Sequence, residues 1–70
     1  MNAIRKIFSK NLKRLRKRSG LTQEELAEKL DITPRYIQHL EGRNCPSVGI
    51  DKIADLARTL KAKPRDFFED

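Results

Sequence analysis

The side chains of this sequence that could do specific chemistry are hydrogen-bond donors and acceptors, and they lie together in one short segment. Arg35, Gln38 and His39 stand within five residues of one another. A guanidinium can donate two hydrogen bonds at once to O6 and N7 of guanine, and a glutamine amide can pair with adenine. This segment therefore offers contact with base edges. The alternatives are a phosphate clamp for Arg35 and plain solvation for all three side chains.

Sites of other kinds are not indicated. His39 and Cys45 are the only histidine and cysteine, so we expect no metal site and no internal disulfide. No nucleophile stands beside a base, and no pair of carboxylates has the pattern of a general acid and base. We therefore predict no enzymatic activity and no cofactor. Cys45 is interpreted as an ordinary loop thiol rather than a redox switch.

Length and charge narrow the class of protein. Seventy residues suit one small domain, here 1–70, and leave no room for a second domain that binds a small molecule. A net charge of +6 and a pI near 9.9 favour a polyanionic partner. No signal peptide and no membrane span is predicted, and the expected location is the cytoplasm, at the nucleoid.

Half of the sixteen cations precede the first acidic residue, Glu24. We interpret this run as lying near phosphates, because it leads directly into the helix pair described next. A solvated helix face, a nuclear-localisation-like run and a membrane-surface helix are the alternatives. The run comprises Arg5, Lys6, Lys10, Lys13, Arg14, Arg16, Lys17 and Arg18.

Two helix starts lie eleven residues apart. Thr22 with Glu25 three residues later is a capping box, and Thr33 followed by Pro34 supplies a cap and a preset φ. The pattern predicts helices at about 23–30 and 34–40, joined by a tight turn. Such a pair, at 22–42, is a helix-turn-helix, which presents its second helix to the major groove of DNA.

Three further elements complete the predicted fold, a compact all-α bundle of about five helices. A first helix begins at Asn2 or Ala3 and ends at Arg18, a fourth is capped by Ser47 and extends to about Leu60, and Pro64 opens a last short turn. The residues predicted to face inward on the fourth helix are Ile50, Ile53, Ala54, Leu56, Ala57 and Leu60.

The sequence resembles the Cro/C1-type (XRE-like) helix-turn-helix family, with its lambda-repressor-like fold, over about Leu12 to Phe68. The resemblance rests on Leu12, Leu15, Arg16, 20–27, Ile37, Leu40, Glu41, Pro46, Ser47, Ile53, Ala54, Leu56 and Ala57. It implies a sequence-specific, repressor-like regulator that binds double-stranded DNA as a homodimer on a two-fold symmetric site. An antitoxin-type or other protein-interaction module with the same fold is the alternative.

The resemblance also implies roles for single residues. Gln23 matches a glutamine that contacts a phosphate and braces the recognition helix, and Arg16 with Glu41 matches a partly buried ion pair. Arg43 and Asn44 fall in a loop that contacts phosphates. Base-reading positions correspond to Pro34, Arg35 and His39, with Thr33 and Gln38 beside them.

Three residues keep two interpretations each. Tyr36 either packs against the first helix or donates its hydroxyl to a phosphate. Phe67 and Phe68 point about 100° apart in a helical turn, so one can close the core while the other is exposed as a dimer contact. In the alternative, both pack onto the fourth helix.

The sequence departs from the family pattern at two places. Asp31 replaces the usual turn glycine, and we expect the turn to survive because aspartate tolerates a positive φ. The loop after Glu41 is one residue shorter than usual, since Pro46 follows five positions later.

Overall fold

The computed structural model describes residues 3–69, and most of them are helical. The α-helices are α1 (Ala3–Arg18), α2 (Gln23–Leu30), α3 (Pro34–Glu41) and α4 (Ile50–Thr59). A 3-10 helix at Pro64–Phe67, called the C-terminal turn below, follows them. The all-α prediction is confirmed, since the described residues contain no strand. Asn2, the earlier of the two predicted starts of α1, lies outside the described residues.

The predicted count of five helices is wrong, because 3–69 contains four α-helices. The fifth segment is only four residues long, which is too short for repeated i to i−4 hydrogen bonds. It closes instead through 3-10 bonds, from the Asp66 N–H to the Lys63 carbonyl at 2.9 Å and from the Phe68 N–H to the Arg65 carbonyl at 3.0 Å.

The caps at the starts of α2 and α3, and the turn between these helices, form as the sequence predicts. The Thr22 hydroxyl accepts the Glu25 N–H at 3.0 Å while the Glu25 carboxylate accepts the Thr22 N–H at 2.8 Å. This exchange lowers the pKa of the Glu25 carboxyl, chiefly through the backbone bond. Thr33 caps α3 by accepting the Tyr36 N–H at 3.2 Å. Asp31 adopts a φ of 56°, the left-handed conformation expected of it in place of glycine.

The start of α4 differs from the prediction. Gly49 rather than Ser47 occupies the N-cap position, and no side chain caps the helix. Ile50, predicted to face inward, is 84% exposed, since it is the first residue of a helix whose partners, α2 and the C-terminal turn, cover its later turns. Ala54 is also exposed, because it lies at the edge of the stripe made by Ile53, Leu56 and Ala57.

One continuous core joins the elements. Ala27 is buried where α2 meets α3, and its single methyl allows the two short helices to approach closely. Phe8 stacks on Phe67 with ring centroids 5.4 Å apart, which attaches the C-terminal turn to α1. The buried apolar residues are Phe8, Leu12, Leu15, Leu26, Ala27, Ile37, Leu40, Cys45, Leu56, Ala57, Leu60 and Phe67.

A buried asparagine on α1 binds the backbone at and just after the C-terminal turn. The Asn11 amide donates to the carbonyl of Phe67 at 3.0 Å and to that of Glu69 at 2.6 Å. Its own oxygen accepts from the Arg14 guanidinium at 3.3 Å, which orients the amide. Asn11 therefore satisfies backbone acceptors that the short turn leaves unpaired.

Replacing this amide should destabilise the fold measurably. Asn11→Ala leaves the buried Phe67 carbonyl without its donor, and we expect the free energy of unfolding to fall by about 1–3 kcal/mol. Urea denaturation followed by circular dichroism measures the change. Lys13→Ala, at an exposed position of the same helix, should stay within about 0.5 kcal/mol of the wild type. Equal unfolding midpoints for Asn11→Ala and the wild type would contradict the role.

Candidate nucleic-acid interface

One face of α3 is buried and the other carries the predicted reading side chains. Ile37 and Leu40 are fully buried, and they fix the rotation of the helix about its own axis. The opposite face carries four exposed residues that are predicted to contact DNA, namely Pro34, Arg35, Gln38 and His39. Thr33, the N-cap of the helix, is also exposed.

Several of these residues lie together on the surface. Thr33, Arg35, Tyr36 and His39 line one shallow groove. Tyr36 is half-buried and packs partly against the core. The Thr33 hydroxyl already caps the helix, and Pro34 has no side-chain donor. Hydrogen-bonding capacity on this face therefore resides chiefly in the side chains of Arg35, Gln38 and His39.

A buried ion pair connects α3 to α1. Arg16 Nε lies 2.7 Å from Glu41 Oε2, and Arg16 Nη2 lies 3.1 Å from Glu41 Oε1. The two side chains are only 9% and 3% exposed. The hydrogen bond to Glu41 raises the pKa of the Arg16 guanidinium above its usual value, so this pair is a charged, two-pronged contact of the strong kind.

Two more groups complete this network. Gln23, the first residue of α2, donates its amide N–H to Glu41 Oε1 at 3.0 Å. Arg16 Nη1 donates to the carbonyl of Leu21 at 2.7 Å. One carboxylate on α3 thus holds α1 and α2, and the Arg16 side chain that it binds holds the segment before α2. Gln23 is linked to α3 through Glu41, and the structure places Arg16, Gln23 and Glu41 together.

The loop after α3 is fixed against α1. The Ser9 hydroxyl donates to the Gly42 carbonyl at 3.1 Å. A Cβ at Gly42 would lie 3.1 Å from the carbonyl oxygen of Gln38, so glycine allows this close approach. Arg43 and Asn44 follow as exposed residues. They share a groove with Lys6, Ser9 and Lys10. The cation run in the sequence did not predict which of its members lie beside this loop.

The two predicted dimer-contact residues, Phe67 and Phe68, and Cys45 lie in another part of the molecule. Phe67 is fully buried, whereas Phe68 is 39% exposed and packs on Phe8 with centroids 5.9 Å apart. Phe68 lines an apolar groove with Ile4, and the groove floor includes Cys45. Burial raises the pKa of the Cys45 thiol, which makes the thiolate scarcer at neutral pH.

Residues 3–69 contain no group of three side chains that could hold a metal ion. Over the same stretch, no helix has both the length and the apolar character needed to cross a membrane.

A family model for helix-turn-helix proteins matches residues 12–67. The chain belongs to the helix-turn-helix family. This match confirms the Cro/C1-type resemblance predicted for about Leu12 to Phe68. The protein is therefore a DNA-binding regulator of transcription. Comparison with curated protein sequences gave no match.

Solved structures of other regulators superpose closely on this fold. The chain is similar to the clp gene regulator ClgR from Corynebacterium glutamicum, at 28% identity, TM-score 0.86 and coverage of 96% of this chain and 85% of that one. It is similar to the restriction-modification controller protein C.AhdI from Aeromonas hydrophila, at 33% identity, TM-score 0.84 and coverage of 96% and 100%. It is also similar to a mutant of the restriction-modification controller protein C.Esp1396I, at 28% identity, TM-score 0.82 and coverage of 96% of this chain and 88% of that one.

Removal of the Glu41 carboxylate tests the network. Glu41→Ala leaves a buried guanidinium without its counter-charge, and we expect a loss of about 3 kcal/mol or more in the free energy of unfolding. Thermal denaturation at neutral pH measures it. Glu41→Gln, which keeps the shape and one acceptor, should lose less.

The exposed ion pair Arg58–Asp55 provides a matched control. Its atoms lie 2.9 Å apart, but the side chains are 75% and 41% exposed. Asp55→Ala should change the free energy of unfolding by less than about 1 kcal/mol. A melting temperature for Glu41→Ala equal to that of the wild type would show that the buried pair does not support the fold.

Proposed function

We propose that this chain is a sequence-specific DNA-binding regulator of the repressor type, in which α3 lies in the major groove. The supporting observation is the division of α3 into two faces. Its apolar face is locked into the core, and the network at Glu41 fixes its far end, while the side chains of Arg35, Gln38 and His39 stay free to meet base edges. Because the backbone of α3 is already ordered, binding has to order only these side chains and not the helix itself.

The proposal assigns different tasks to different residues. Arg35, near the start of α3, reads a base through two donors. Pro34 supplies only van der Waals contact, and Tyr36 borders the groove beside them. Gln23 at the start of α2 and Arg43 after α3 contact phosphates on either side of the recognition helix. Phosphate contacts position the protein, and base contacts specify the sequence.

Selection from randomised duplex DNA at fixed salt tests this assignment. The wild type should enrich one motif, and Arg35→Ala should lose preference at one base position of that motif, with a cost of about 1–3 kcal/mol on the preferred sequence. Arg43→Ala serves as the matched control, because loss of a phosphate contact should weaken binding to all sequences evenly. Unchanged relative affinities among sequences for Arg35→Ala would refute the readout role.

A second copy of the chain is part of the proposal. α3 has eight residues, about 12 Å at 1.5 Å per residue, which spans roughly four base pairs at 3.4 Å each. We infer that two copies on a two-fold symmetric site double the length of sequence that is read. We place the contact between copies at the apolar groove of Ile4, Val48, Ile53 and Phe68, since Phe67 is buried and Phe68 is exposed.

Sedimentation velocity tests this contact. Ile4→Ser and Phe68→Ser should each shift the protein from dimer toward monomer, because they remove apolar area from the groove. Ile50→Ser is the matched control, since Ile50 is an exposed isoleucine outside the groove, and it should leave the distribution unchanged. A wild type that stays monomeric at high concentration and on its selected duplex would rule out this part of the proposal.

A further inference from the structure

We propose that Asn11 is a positioning residue for the contact between two copies of this chain, because it fixes the backbone on both sides of Phe68. This inference rests on the proposed function, which places that contact at the apolar groove of Ile4, Val48, Ile53 and Phe68. Asn11 itself does not line this groove. Its role is to hold the exposed ring of Phe68 where a second copy meets it.

Three hydrogen bonds hold the backbone around Phe68. The Asn11 amide nitrogen donates to the carbonyl of the residue before it, Phe67, at 3.0 Å. The same nitrogen donates to the carbonyl of the residue after it, Glu69, at 2.6 Å. The Phe68 N–H donates to the Arg65 carbonyl at 3.0 Å. The chain is therefore tied to α1 on both sides of Phe68, which limits the directions in which the side chain can point.

All polar atoms of the Asn11 side chain take part in this arrangement. Asn11 is 2% exposed, and a buried amide costs free energy unless its polar atoms are paired. Its oxygen accepts from Arg14 Nη2 at 3.3 Å, so both amide hydrogens are left for the two carbonyls. An apolar side chain would fill this place on the buried face of α1 without that cost. The two donated bonds are therefore what an amide contributes here.

The ring that these bonds position forms part of the groove wall. Phe68 lines the groove, and its ring packs on Phe8 with centroids 5.9 Å apart. Phe8 is in turn stacked on Phe67, which is fully buried. One side of the Phe68 ring therefore rests on the core, and its exposed part remains available to a second copy.

Phe68 depends on such bonds because it follows the C-terminal turn and belongs to no helix. Of the three bonds above, only the 3-10 bond at its own N–H would remain without Asn11, and the turn that accepts this bond is only four residues long. A side chain that has to be ordered on association weakens binding. Asn11 therefore strengthens association by ordering Phe68 before the second copy arrives.

Sedimentation velocity over a range of protein concentrations tests this role through the dimer dissociation constant. Asn11→Leu keeps nearly the same shape and removes both donors, and Asn11→Ala is the second variant. Leu30→Ala is the control for a general loss of stability, since Leu30 is a half-buried residue of α2 that lies outside the groove. Thermal melts verify that each variant is folded at the temperature of the measurement.

We expect both Asn11 variants to raise the dimer dissociation constant about tenfold or more, since each of the two copies must then order one more side chain on association. Leu30→Ala should leave the constant unchanged. In a Phe68→Ala background the effect of Asn11→Leu should nearly vanish, because the ring that Asn11 positions is already gone.

Three results would overturn the inference. They are an unchanged constant for folded Asn11→Leu, an equal rise for Leu30→Ala, and a full effect of Asn11→Leu in the Phe68→Ala background. If Ile4→Ser still disrupts the dimer in these cases, the proposed contact between copies stands. A wild type that is monomeric at high concentration and on its selected duplex, or an Ile4→Ser variant that dimerises like the wild type, would overturn both.

Discussion

A single buried carboxylate, Glu41, connects the elements of this protein that must hold still for recognition. Removing a carboxylate and a guanidinium from water is costly, and an ion pair repays that cost only with close geometry and further hydrogen bonds. Here both Glu41 oxygens are occupied by Arg16, and Gln23 adds a third donor. The arrangement therefore serves to set the positions of helices as much as to stabilise them.

This constraint explains how so small a domain can present a rigid reading surface. Two-turn helices such as α2 and α3 are too short to be stable alone, so their geometry comes from caps, core packing and the network at Glu41. The apolar face of α3 sets its rotation, and Glu41 sets its tilt. The exposed face is then free to carry side chains chosen for a partner rather than for folding.

Much of this arrangement could be predicted from the sequence because its signals are local. The capping box at Thr22, the Thr33–Pro34 start and the tolerance of Asp31 for a positive φ depend on residues a few positions apart. The Arg16–Glu41 pair, 25 residues apart, was accessible only through the family resemblance. Periodicity alone does not identify which of several cations finds a buried partner.

The features that the sequence did not predict depend on more than a local pattern of residues. Ile50 and Ala54 fit the apolar period of α4, yet burial depends on where neighbouring elements end, and periodicity does not contain that information. The C-terminal turn fits a helix start, but four residues cannot form repeated α-helical bonds. The grouping of Lys6, Lys10 and Arg43 depends on the path of the loop after α3, which is fixed by a hydroxyl at Ser9 that no sequence pattern singles out.

The most direct measurement is a crystal structure of the chain bound to the duplex that selection yields. The account predicts two copies on a symmetric site, with α3 in the major groove and the Arg35 guanidinium within hydrogen-bonding distance of a base edge. Glu41 should still hold Arg16 and Gln23. A complex in which α3 lies outside the major groove, or in which Arg35 contacts only phosphates, would contradict the account.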